Sequence, residues 1–395
     1  MISTTAIVVT IKLVTGAFQY ILNKIITDYK AVGLQDNSCV ENGAKLDAPR
    51  KFGKSFFITV VIFLSMLLVV LPFFLSELRK FNAARRVAGL PPAHPYNRRA
   101  YWLTFLPSIL DVIAVAFSMA ATKGIAAVAT ILLKSLRIPV SALMTKTILG
   151  KSQKPYQWAG VAVTLLGLVP VGFASQMRAK KDNEPGTIPL WLCLIFTVLG
   201  ELLRGFRYVY EEKLIKTEKM SAEFVVFMES LIGFVVAIFM VLIAHLIPGN
   251  NCGRVENMHD TFAMLKNESA LIALFASNFL LIGIHNYSTT LITKHLTSMH
   301  NMIISQARVI VAWLPSVAVH YIWKGRIKGE EIDYYTFFDF AGFVILALGA
   351  FVYNGSVKLP WERCYPAEQD ISKEEVQSPS TTDLEAEKDE KPHVV

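Results

Sequence analysis

The feature that most constrains this chain is a run of about twenty apolar residues that recurs along nearly its whole length. Such a run is what a helix rising 1.5 Å per residue needs to cross the ~30 Å hydrocarbon core of a bilayer. The runs lie near residues 3–27, 55–78, 101–122, 124–146, 156–177, 188–210, 223–247, 269–293, 296–320 and 334–356. With 53% hydrophobic and 18% charged residues in 395, too little polar surface remains to cover a water-soluble core. Lipid leaves no partner for open sheet edges, and the alternating pattern of a membrane barrel is absent, so the spans are predicted to be helices. The expectation is an all-α integral membrane protein with ten transmembrane helices. The first run lacks a basic leader and a small-residue cleavage site, so it is expected to be retained.

Charge is distributed unevenly along this frame. Residues 366–395 hold nine acidic and three basic side chains, a net of −6, and are expected to form a solvated, disordered tail over 359–395. Without them the body carries +8 − (−6) = +14, which favours contact with anionic lipid headgroups or an anionic solute. Arg79, Lys80, Arg85, Arg86, Arg98 and Arg99 make the connection after the second span the most basic. That places it and both termini on the cytoplasmic side. Arg178, Lys180 and Lys181, with Lys324, Arg326 and Lys328, then fall on the opposite side and weaken the assignment. Cys39 and Cys252 lie in the two longest loops, after the first and seventh spans, which share one side of a ten-helix protein. If that side is lumenal they either pair as a disulfide or stay separate thiols, and Asn267 becomes a glycosylation acceptor.

The chain also resembles itself. A shift of 171 residues lays Thr122 and Lys123 on Thr293 and Lys294, Arg137 on Arg308, Val140 on Val311 and Leu143 on Leu314. A shift of 182 lays Ala159 and Gly160 on Ala341 and Gly342, and Gly167 on Gly349; a shift of 189 lays Gly16 on Gly205, Lys24 on Lys213 and Ile26 on Ile215. The matches run in the same order in both halves, which sets a first five-helix repeat over 1–177 and a second over 178–358. Because five is odd, the second copy enters the membrane from the opposite side. The result is an inverted repeat, the architecture of carriers that open alternately to two faces.

Ionisable residues at membrane depth are expensive and face a bundle interior or a watery cavity. At ~100° per residue, Thr130, Lys134, Arg137 and Ser141 share one stripe of the fourth span. Asn301, Ser305 and Arg308 share the repeat-related stripe of the ninth. Gln19 and Asn23, Asp111 and Ser118, and the set Glu201, Arg204, Tyr208 and Glu212 mark the first, third and sixth spans. Asn278, His285 and Thr289 mark the eighth, and Glu229 is the exception in the otherwise apolar seventh.

The candidate substrate-binding set is therefore Gln19, Asn23, Asp111, Lys134, Arg137, Glu201, Arg204, Tyr208, Asn278, His285, Asn301 and Arg308. The competing expectation is internal pairing: Glu201 with Arg204, Arg137 with Asp111, and Glu212 with Lys213 at the water boundary, where Glu211, Lys24 and Lys123 also snorkel. His285 is either a proton relay or a satisfied core histidine. Gly160, Gly167, Gly342 and Gly349 are expected to pack the fifth and tenth spans closely. Pro107, Pro139, Pro170 and Pro315 are expected to kink their helices.

Several segments carry a family resemblance: Leu13-Val-Thr-Gly-Ala17, Leu132-Leu-Lys-Ser-Leu-Arg137, Gln157-Trp-Ala-Gly160, Glu211-Glu-Lys213 and Gly349-Ala-Phe-Val-Tyr-Asn-Gly355. With the ten spans and the repeat, they resemble the drug/metabolite transporter superfamily and, within it, subfamily F of solute carrier family 35. The resemblance implies carriage of an organic metabolite across an endomembrane of Golgi, lysosome or vacuole type, with no cofactor. The cationic residues Lys134, Arg137, Arg204 and Arg308 suit an anionic solute such as a nucleotide sugar. Amino acids, peptides or drugs, carried by the chloroquine-resistance-type branch, are the alternative. A small-molecule substrate and membrane lipid are the expected partners, with no nucleic acid; a homodimer is left open. No HExxH, paired-cysteine, phosphate-loop or GxSxG pattern is found, which argues against an enzyme. A non-transporting scaffold whose tail recruits partners is the remaining class.

Overall fold

In a computed structural model of the protein, the described residues are 4–34, 40–41, 44–45, 49–91, 95–121, 136–150, 154–181, 189–302, 304–305, 334–353, 355 and 357. They form ten helices of ten residues or more: α1 (Thr4–Asp28), α2 (Ser55–Val87), α3 (Arg98–Ala121), α4 (Arg137–Leu149), α5 (Pro155–Lys181), α6 (Leu190–Lys216), α7 (Ala222–Leu246), α8 (Met258–Asn267), α9 (Ser269–His295) and α10 (Thr336–Tyr353). Residues 298–302 and 304–305 are helical again after α9. Lys134 and Arg308, Cys39, Pro315 and the acidic tail lie outside the described residues.

Among the described residues, six helices (α1, α2, α3, α7, α9 and α10) are long and apolar enough to cross a membrane. Each presents apolar side chains on its outer face. On α1, Ile7, Ile11, Val14 and Phe18 are exposed while Lys12 and Thr15 are buried, so the helix is lipophilic outside and polar within, the reverse of a soluble bundle. Trp102, Trp158 and Trp191 are exposed near the starts of α3, α5 and α6, where indole rings suit the membrane–water boundary. α6 is absent from the six because its inner face holds Glu201, Arg204, Arg207, Glu211 and Glu212.

Helix packing follows a regular scheme. α1 lies on α9 and α3 on α6; α9 lies on α2 and α3 on α7; α2 pairs with α7, α5 with α10, and α4 with α6. In the α5 and α10 pair the backbones touch. A Cβ added at Gly160 would sit 2.6 Å from the Tyr353 nitrogen, and one at Gly349 would sit 2.7 Å from the Thr164 nitrogen. The glycine expectation holds there for a stated reason: any side chain would meet backbone, which cannot swing aside.

Two segments depart from the sequence reading. The second span was expected to end at residue 78, yet α2 runs on to Val87, about 50 Å in all at 1.5 Å per residue. Arg79, Lys80, Arg85 and Arg86 therefore sit on helix, because good helix formers extend it after the apolar run stops. The loop after the seventh span contains α8, N-capped by Asn257, whose side chain accepts from the His259 amide at 3.0 Å.

α8 clamps the first loop. The Leu34 amide donates to Asp260 Oδ1 at 2.8 Å, Lys54 Nζ donates to Oδ2 at 2.6 Å, and Arg50 pairs with Oδ1. Glu256 accepts from the Phe56 and Phe57 amides at 2.9 and 2.8 Å, closing the open N-terminus of α2. Burial alone would raise the Asp260 carboxyl, but the bonds from Lys54 and Leu34 and the Arg50 charge hold it below the ordinary range. The two longest loops thus share one end of the bundle, as expected. Cys252 in this loop is disulfide-bonded. Exposed Asn267 donates its amide to the Val32 carbonyl at 2.9 Å.

The other end is held differently. Ser221 caps α7, accepting from the Phe224 amide at 3.1 Å, and donates to Glu77 Oε2 at 2.7 Å. Tyr96 donates to Glu77 Oε1 at 2.9 Å, and burial pushes its phenol up to about 12, so it stays a neutral donor.

Candidate functional site

The inner stripe of α6 gathers most of the predicted site. Glu201 accepts from Arg137 Nε of α4 at 2.7 Å and from Arg204 Nη1, one turn along, at 3.5 Å. Three residues further, Arg207 donates to Asp111 Oδ1 of α3 at 3.2 Å and to Glu229 Oε2 of α7 at 2.9 Å, and Glu211 Oε2 lies 3.6 Å away. Between the two groups stands Tyr208, whose ring centroid lies 5.9 Å from the Arg137 guanidinium carbon and 5.0 Å from that of Arg207. The ring separates two like charges that each favour its face. Nearly all these groups are buried; Arg204, 15% exposed, is the most open cation of the stripe.

A second polar seam joins α1 to the start of the ninth span. Lys12 donates to the Asn301 carbonyl at 2.9 Å, to Asn301 Oδ1 and to Ser305 Oγ at 2.8 Å. His285 Nδ1 faces the Lys12 carbonyl at 3.2 Å, and Asn301 Nδ2 donates to Thr293 Oγ1 at 3.0 Å. Towards the clamped end, Asn278 Nδ2 donates to Asn23 Oδ1 at 2.7 Å. Gln19 lies between these contacts, and its buried Oε1 accepts no hydrogen bond. The shift that lays Gly16 on Gly205 also lays Lys12 on Glu201, since 12 + 189 = 201. That shift thus matches residues of opposite charge.

The expected pairings are partly corrected. Glu201 does bind Arg204, but Arg137 goes to Glu201 and Asp111 to Arg207, because Arg207 reaches α3 and leaves Arg137 facing α6. Glu212 does not pair with Lys213. It accepts from the Ser298 amide and hydroxyl at 2.8 and 2.6 Å and from Lys216 at 3.1 Å. Glu211 and Glu212 are buried rather than snorkelling. His285 fits the satisfied core histidine. Sequence reasoning missed Lys12 and Arg207 altogether. Both carried a signal: Arg204, Arg207 and Glu211 are spaced three and four apart, and Lys12, Thr15 and Gln19 repeat that spacing on α1.

Apolar helices that enclose an ion-pair network inside the bundle are the build of a multi-pass membrane protein, and the family match makes its class that of the membrane transporters. A family model described as nucleotide-sugar transporter matches residues 46–258, more than half of the chain, and the chain belongs to that family. It is similar to solute carrier family 35 member F6 of Homo sapiens, with 24% identity over 349 residues covering 87% of this chain and 86% of that protein. The protein of the same name from Mus musculus is 26% identical over 274 residues, 68% of this chain and 69% of its own. A solved crystal structure at 13% identity covers 90% of this chain and 98% of its own with a TM-score of 0.53, which shows a shared fold. The resemblance to subfamily F of solute carrier family 35 is borne out.

Proposed function

We propose that this protein is a secondary carrier that moves an organic metabolite bearing an anionic group across an endomembrane by alternating access. The observation that carries the reading is the α6 stripe, where Glu201 is shared by Arg137 and the more open Arg204. A phosphate or carboxylate entering beside Arg204 would compete with Glu201 for the guanidinium, and that competition is a way for a solute to loosen α4 from α6. Lys134 and Arg308 are proposed to add positive charge to the same path. The remaining candidates, Gln19, Asn23, Asn278 and Asn301, supply neutral hydrogen-bonding groups suited to hydroxyls or amides. Nucleotide sugars are the first solutes to try, given the family.

Two inverted five-helix halves, 1–177 and 178–358, are proposed as the moving parts. Support comes from the packing scheme: exchanging each helix with its repeat partner turns the α1 and α9 contact into that of α6 and α3, and turns α9 on α2 into α3 on α7. Both termini are proposed to face the cytoplasm, with the α8 clamp and the Cys39 to Cys252 bond on the lumenal side.

Uptake by proteoliposomes preloaded with nucleoside monophosphates tests the reading. Trans-stimulated entry of a UDP-, GDP- or CMP-linked sugar is expected, and Arg204→Ala should abolish it while leaving thermal stability nearly unchanged. Full uptake by that variant would remove Arg204 from the path, and no uptake of any anionic solute would overturn the proposal.

A further inference from the structure

Around Arg207 the bundle assembles more negative than positive charge. Asp111 from α3, Glu229 from α7 and Glu211 from α6 all face its one guanidinium. Lys12 of α1 is the next cation towards Glu211, and Thr290 of α9 stands beside it. Tyr208 supplies a neutral ring, and α2, which packs on α7, offers no ionisable side chain before Glu77. Two cations therefore answer three carboxylates.

The hydrogen bonds show the same imbalance. Glu211 is fully buried with the Thr290 hydroxyl as a donor beside it, Arg207 stands 3.6 Å off without a hydrogen bond to it, and Glu229 Oε1 accepts none. An ionised carboxylate in a low-dielectric interior with empty acceptors is costly, and three such charges around one cation repel one another. A carboxyl that takes up a proton removes one negative charge and turns an unanswered acceptor into a donor for its neighbour.

We propose that Glu211 and Glu229 together form a proton-binding site that couples the carrier to a proton gradient, a role that rests on the carrier reading above. Loading forms one O–H bond with a proton taken from the aqueous phase on one side. Release breaks that bond and returns the proton to the other side, with no redox change. Arg207 is the positioning residue. It bridges α3, α6 and α7, so a change in which carboxylates are charged redistributes its bonds and alters which helices it ties together.

Two measurements on the full chain test this. In the first, pH-difference infrared spectra are recorded on protein reconstituted in phosphatidylcholine vesicles. A protonated-carboxyl band that titrates is expected in the wild type and should be lost in the Glu211→Gln, Glu229→Gln double variant. If the double variant fails to fold, Glu211→Gln alone serves, since Arg207 lies 3.6 Å from it without a hydrogen bond, and it should shrink the band. Absence of a titrating band, or its persistence in the variants, overturns the proposal whatever the carrier transports. In the second, initial uptake of the UDP-, GDP- and CMP-sugar panel is compared with and without an inward proton gradient. A severalfold rise in the wild type that is absent in Glu211→Gln supports coupling. Uptake that ignores the gradient overturns coupling and leaves the carrier reading standing. No uptake at all sinks the carrier reading for these solutes, and the infrared result then decides the proton site alone.

Discussion

The loop clamp and the Arg207 cluster use the same kinds of side chain in opposite proportion. At the clamp a single carboxylate, Asp260, meets Lys54, Arg50 and the Leu34 amide, so both of its oxygens are answered. At Arg207 a single guanidinium meets Asp111, Glu211 and Glu229; Glu229 Oε1 is left over, and Glu211 has the Thr290 hydroxyl but no hydrogen bond from Arg207. A fully answered cluster has one favourable charge state and holds two loops together. A cluster with surplus acceptors has at least two charge states of similar energy, which is what a moving part needs.

The largest effect that separates the two should come from Asp260→Ala. It removes the carboxylate that Lys54 and Arg50 share and leaves Glu256 as an acid beside Lys54, and removing one partner of such a buried pair costs about 3–5 kcal/mol. Thermal unfolding of detergent-purified protein should show it, and an unchanged melting temperature would erase the distinction between the clusters. Arg207→Leu should cost less, about 2 kcal/mol, because the stranded acids can all take up protons whereas at the clamp Lys54 can shed its proton but Arg50 cannot. If its loss equals that of Asp260→Ala, the surplus acids are not protonating and the comparison fails.

A smaller effect comes from titrating the clamp. Asp260 is held below its unfolded value, so its contribution to stability is complete above the ordinary aspartate pKa of about 4 and is lost as pH falls through the lower folded value. Melting temperature should therefore be insensitive to this group at the mild acidity of an organelle lumen. It should decline only at stronger acidity in the wild type, and Asp260→Asn should lack that decline. Loss of this contribution already near pH 6 would contradict the clamp geometry.

The sequence revealed different parts of this comparison unequally. The α6 stripe was legible because charges at spacing three and four in an apolar helix have few explanations, and Glu201, Arg204 and Tyr208 do share its inner face. The partner of each charge was not legible, since Arg137 could turn to α3 or α6 and spacing along one helix does not say which neighbour packs there. The clamp was invisible for a related reason. Asp260 and Arg50 are separated by 210 positions, and α8, only ten residues long, has no apolar run to announce it. Helix ends were also misjudged where charge begins, as at Arg79, because hydropathy marks the end of the hydrocarbon and not the end of the helix. The spans of the fourth and ninth helices around Lys134 and Arg308 lie largely outside the described residues, so those expectations stand as proposals.

The bare contact at Gly160 and Gly349 has its own consequence. With backbone against backbone, α5 and α10 have no side-chain cushion on which to slide, and any residue larger than glycine would wedge them apart. As the closing helices of the two proposed halves, they form a joint in which a single added methyl group on either side would force the pair apart.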